Sequence, residues 1–142
     1  MKNVLIPVDA DAGRTAAAVA EVLGLCATEP TRVHLLSVQP VVSSHVAMFF
    51  PDGELRQTQL DAGAEDLAPA RALLDASGVA YTATVQVGRS AQTIARVARE
   101  LGCDRIVMGR EDPRLGGRIF GSLAQQVRHL LSGASDCQVI GS

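Results

Sequence analysis

Apolar residues fall along this chain in two alternating rhythms: short β-branched runs, and longer stretches in which they recur every three or four positions. Val4-Leu5-Ile6-Pro7-Val8 is of the first kind, continuously apolar as in a strand covered on both faces of a parallel sheet. Pro7 removes a ladder donor, so it belongs near the carboxyl end of that strand. Past Asp9 and a short loop to Gly13, residues Ala16, Val19, Ala20 and Leu23 recur on one helical face, with Thr15 as the expected cap. Residues 33–38 predict a second strand, which Gln39-Pro40 ends. A long connection over 41–53 then carries Met48-Phe49-Phe50-Pro51.

Leu60, Leu67 and Leu74, with Ala64 and Ala70 between them, predict a second helix ending at Ser77-Gly78, in which Pro69 should produce a kink or a break. Residues 80–87 form a third strand, and the alternation of Thr82, Thr84 and Gln86 suggests a sheet edge with one wetter face. Gly88-Arg89 turns the chain, Ser90 is a candidate N-cap, and Ile94, Val97, Ala98 and Leu101 form an amphipathic stripe that Gly102 terminates. A short strand over 105–108, a helix marked by Leu123, Val127, Leu130 and Leu131 with Gly133 beyond it, and a last strand over 137–140 complete the order. Strict alternation of strands and helices predicts an α/β fold, an open, doubly wound, five-stranded parallel sheet with helices on both faces. The 142 residues suit one domain spanning 1–142.

Right-handed crossovers force the strand order of such a sheet to reverse, and ligands bind outside the carboxyl ends of the strands at that reversal. In the Rossmann-like order 3-2-1-4-5 the switch lies between the strands ending at Asp9 and Gly109. Asp9 could accept hydrogen bonds from a base amine or a ribose hydroxyl. The Gly109 loop and the helix start at Gly121-Ser122 could receive phosphates. The stretch from Ile106 to Ser122 lacks the Gly-Lys-Ser/Thr ending of a Walker A loop. A purely structural interpretation also stands, in which Asp9 caps the first helix and Gly109 and Gly121 only make turns.

Composition narrows the partners. A net charge of −2 gives no electrostatic reason to expect nucleic acid or an anionic membrane. No window has the apolar length of a membrane span, and the opening apolar run is too short for a signal peptide. Cys26, Cys103 and Cys137 are scattered singly, without a CxxC pair or metal spacing, and suit buried positions in a reducing cytoplasm. His34, His45 and His129 are expected to be structural or solvated.

Val4-Leu5-Ile6-Pro7-Val8-Asp9, Val33-His34-Leu35-Leu36-Ser37-Val38, Val87-Gly88-Arg89-Ser90, Asp104-Arg105-Ile106-Val107-Met108-Gly109 and Gly121-Ser122, taken in order, resemble the universal stress protein family over essentially the whole chain. The resemblance implies a dimeric, cytoplasmic stress-response protein that binds ATP or AMP without a defined catalytic function. By matching position, Pro7, Asp9 and Val38 would line the adenine and ribose end. Met108 and Gly109 would approach the ribose, and Gly121, Ser122 and Leu123 would contact phosphates. The family motif has a second glycine where this chain has Asp112, and Gly121-Ser122 arrives one residue early. Glu111 and Asp112 would repel a triphosphate that Arg110, Arg114 and Arg118 would attract.

Three functions follow. The first is an adenine-nucleotide sensor. The second is an interaction protein with a decayed site, acting on an unknown protein partner through its dimer surface and the Phe49-Phe50 loop. The third is a slow ATPase, with magnesium held by Asp11, Glu111 or Asp112, although no catalytic constellation stands out. The resemblance also implies a homodimer paired through Cys137-Gln138-Val139-Ile140, where Gln138 replaces the family's proline and could add a ladder hydrogen bond.

Overall fold

The computed structural model describes residues 1–51, 53–109, 123–132 and 137–141. Five strands, β1 (Lys2–Val8), β2 (Thr31–Gln39), β3 (Tyr81–Val87), β4 (Arg105–Val107) and β5 (Gln138–Ile140), pair in the order β3-β2-β1-β4-β5. Every pairing is parallel. Helices α1 (Ala12–Thr28), α2 (Ser44–Ala47), α3 (Glu54–Ala76), α4 (Ser90–Leu101) and α5 (Leu123–Leu131) make the connections. Among the described residues no helix is long and apolar enough to cross a membrane.

The period-2 geometry of the strands sorts their side chains into two cores. Val4, Ile6, Val8, Val33, Leu35 and Val107 pack with Ala18, Val19 and Val22 of α1 and Leu67, Ala70 and Leu74 of α3. Leu5, Leu36, Ile106 and Met108 pack on the other face with Ile94, Val97 and Ala98 of α4 and Ala124, Val127 and Leu131 of α5. Covering both faces is why β1 and β4 are apolar without alternation. The edge strand β3 does alternate, with Thr82 and Thr84 exposed and Ala83 packed against a core.

Two cap assignments need correction, and of the two outcomes expected at Pro69 one is excluded. α1 is capped by Asp11, whose carboxylate accepts from Arg14 N at 3.1 Å. Thr15 therefore sits inside the helix, and Asp9 is not the cap. α4 begins with Arg89 in the cap position, without a side-chain cap bond, and Ser90 is its first helical residue. Pro69 does not divide α3, which runs unbroken from Glu54 to Ala76. Buried Gly63, Leu67, Ala70 and Leu74 anchor the helix on both sides of the proline. The carbonyl deprived of its bond belongs to Glu65, an exposed residue that water can serve. The connection over 41–53 also contains α2, started by Ser43, whose hydroxyl accepts from Val46 N at 3.3 Å.

Candidate functional site

The crevice forms where the sheet's winding reverses. The pairing of β1 with β4 ends at Leu5 and Ile106, so the two strands part before Pro7 and Met108. Asp9 follows at the end of β1. Its Oδ1 accepts from Asp11 N at 2.9 Å, and its Oδ2 lies 3.3 Å from Arg14 Nη1. The carboxylate thus braces the first turn of α1 and partly neutralises a guanidinium projecting from it. Arg14 N in turn donates to Asp11, and Thr15 N donates to Asp11 O at 3.1 Å. The entry into α1 is held by a short polar lattice rather than by apolar packing.

Across the crevice, Met108 N donates to Ile140 O at 2.8 Å, which ties the end of β4 to β5. Gly109 comes next, and its position explains its identity. A Cβ built there would lie 2.1 Å from Arg14 O and 2.6 Å from the Arg14 carbonyl carbon. Its backbone φ is not in the left-handed region, so the requirement is for close approach to α1 rather than for an unusual turn.

One cleft gathers six of the eight residues expected from sequence: Pro7, Asp9, Val38, Met108, Gly109 and Leu123. Gly121 and Ser122 lie outside the described residues, as do Gly133, Glu111, Asp112, Arg110, Arg114 and Arg118. Pro7, Val38, Ile94 and Met108 give the cleft apolar walls. Arg14, Thr15, Asp66 and Ser90 add polar groups that sequence reasoning did not assign to the site. Arg14 was within reach of that reasoning, since it lies in the first helical turn after Asp9. Asp66 was not, because only the packing of α3 over the sheet brings it to the cleft. Its Oδ2 accepts from Gln39 Nε2 at 3.2 Å, and the same amide donates to Ser37 Oγ at 3.0 Å. Gln39 and Ser37 are both buried, so this network orients the Asp66 carboxylate from below.

Thr15 is buried, at 2% exposure, and its hydroxyl has no hydrogen-bond partner among the described residues. Among the described residues no group of three or more His, Cys, Asp or Glu could hold a metal ion. Asp11, one of the carboxylates considered for magnesium, is engaged as the α1 cap. The histidines stand away from the cleft. His34 is buried in β2 with Nδ1 2.7 Å from Thr82 Oγ1, and burial, followed by the Arg32 charge, lowers its pKa. His45 packs edge-on against Phe49, and His129 lies in the last turn of α5. Cys103 is buried, and burial first, then Cys137 and Asp104, pushes its thiol up to about 12, which makes it a poor nucleophile at neutral pH.

The arrangement, a cleft of mixed apolar and polar lining where β1 and β4 part, is of the kind in which doubly wound sheets hold ligands. Solved structures share the fold. A universal stress protein from Archaeoglobus fulgidus matches with a TM-score of 0.70 at 19% identity, covering 99% of this chain and 98% of that one. A universal stress protein in complex with cAMP matches at 0.71 and 18% identity, covering 99% and 96%. An Arabidopsis thaliana family member with AMP bound matches at 0.64 and 15% identity, covering 99% and 92%. No curated protein sequence matches significantly. The Universal stress protein family profile matches residues 1–132, and with the sheet order and the crevice in agreement, the chain belongs to the universal stress protein family.

Proposed function

We propose that this chain is a stress-response regulatory module that binds an adenine nucleotide, AMP or ATP, at the carboxyl ends of β1 and β4, and that it acts by binding rather than by catalysis. The observation that carries this function is the cleft at the sheet's switch point, where apolar Pro7, Val38, Ile94 and Met108 share the lining with polar Asp9, Arg14, Asp66 and Ser90. A planar base suits apolar walls, and a few placed polar groups suffice to orient it. Asp9 and Val38 would hold the base and ribose end, and Met108 and Gly109 would lie against the ribose. Leu123 N–H, with Gly121 and Ser122, would serve the phosphates at the start of α5. The AMP and cAMP bound by structural relatives support the same ligand class. Magnesium would enter only as the companion of ATP.

Titration calorimetry and thermal melting with AMP, ATP and GTP test the proposal. Heat and a rise in melting temperature with the adenine nucleotides are expected. Absence of both at millimolar ligand would refute it.

A second function has its own observation. Met48 and Phe49 are 72% and 76% exposed, beside exposed Val41 and Val46, an apolar surface of the kind that protein partners cover. In that case Phe49→Ser would abolish capture of a protein partner and leave nucleotide binding intact, and unaltered capture would count against it. We also take residues 1–142 as one cytoplasmic domain forming a homodimer through β5. The exposed edge position of Gln138 supports this pairing, and a monomer mass by light scattering at micromolar concentration would exclude it.

A further inference from the structure

We infer that Thr15 is a ligand-binding residue of the cleft, its hydroxyl donating to an acceptor oxygen on the sugar or phosphate of the nucleotide; the inference rests on the adenine-nucleotide function proposed above. Two observations converge on it. Thr15 is 2% exposed, yet its Oγ1 has no hydrogen-bond partner among the described residues. It lines the same cleft as Asp9, Arg14 and Gly109.

A helical threonine ordinarily satisfies its hydroxyl on the carbonyl four residues back. Here that carbonyl, Asp11 O, receives Thr15 N at 3.1 Å and no bond from Oγ1. Buried hydroxyls are nearly always partnered in native proteins, so one left without a partner on a residue that lines the cleft is explained by what enters the cleft. Asn3 Oδ1 is also unpartnered among the described residues, but it stands at the opposite end of β1 and does not line the cleft. Arg14, adjacent in sequence, pairs with Asp9 at 3.3 Å, so the charges of those two lining residues offset one another and the Thr15 hydroxyl itself asks only for an acceptor oxygen, on sugar or phosphate.

The test compares the full-length protein with Thr15→Val and Thr15→Ser, titrated with AMP and with adenosine, alongside melting of each ligand-free protein. Thr15→Val keeps the shape and removes the donor. It is expected to weaken AMP binding roughly tenfold while the ligand-free variant melts no lower than wild type, because an unpaired hydroxyl has been replaced by a methyl. Thr15→Ser keeps the hydroxyl and should retain affinity within about threefold. Loss with AMP alone assigns the contact to the phosphate, and loss with adenosine as well assigns it to the sugar. Wild-type affinity in Thr15→Val overturns the assignment. So does a lower melting temperature of that variant without ligand, which would show that the hydroxyl serves the fold. If the wild-type protein binds neither ligand, the proposed function fails and this assignment with it.

Discussion

Replacing Gly109 by alanine tests whether the floor of the crevice is built by backbone contact between β4 and α1. The added Cβ would lie 2.1, 2.6 and 2.8 Å from O, C and Cα of Arg14. All three are backbone atoms of a helical turn already tied to β1 through Asp9 and Asp11. No side chain can rotate away, so either the end of β4 or the start of α1 must shift. Overpacking of this kind costs about 1–3 kcal/mol, and the backbone nature of the clash places Gly109→Ala near about 3 kcal/mol. For a chain of this size that corresponds to a fall in melting temperature of roughly 6–12 °C. Gly24→Ala is the internal control. Gly24 lies in the same helix and is exposed, and a Cβ added there would meet nothing within 4 Å, so alanine should stabilise by up to about 1 kcal/mol through helix propensity. Urea unfolding followed by circular dichroism measures both. Should Gly109→Ala match wild type within about 0.5 kcal/mol, the close-approach argument is wrong.

His34 makes stability depend on pH. Burial and the Arg32 charge hold its folded-state pKa below the unfolded value of 6.5. The unfolded chain therefore binds the proton more readily, and the contribution is fully present above about pH 6.5 and lost as pH falls through the folded-state value. Urea midpoints measured at decreasing pH should decline in wild type, and His34→Gln should flatten that part of the curve; equal slopes would remove His34 as the cause. Asp11→Ala deletes the carboxylate that accepts Arg14 N and should cost about 1 kcal/mol in chemical unfolding. A neutral result would mean that Asp9 or water replaces the cap.

Much of this molecule is legible without its structure. Strand and helix periods differ, so the runs around Val4 to Val8 and the stripe from Ile94 to Leu101 declare their elements, and their alternation implies a doubly wound parallel sheet, of which the observed order is one form. The wetter face of β3 shows in Thr82 and Thr84 for the same reason, since an edge strand has one face the helices do not fully cover. The caps are ambiguous in the sequence because Asp11, Thr15 and Ser90 all have cap chemistry, and only the path of the backbone decides which oxygen meets an orphan N–H. Pro69 reads as a kink or a break, and the break is absent because buried residues hold α3 on either side, which a local rule cannot weigh.

The sequence by itself determined the order of elements and the two chain segments, ending at Asp9 and Gly109, that meet at the switch point, because right-handed crossovers leave few topologies for such a pattern. Tertiary structure alone decided what else faces the crevice. Asp66 reaches it from α3, far beyond Asp9 in the chain, and is oriented there by Gln39. Gly109 is required by the backbone of Arg14, and Thr15, a lining residue of the cleft, keeps a buried hydroxyl without a partner among the described residues. Each of these depends on distances between atoms that the fold brings together, which periodicity, a property of one segment at a time, does not encode.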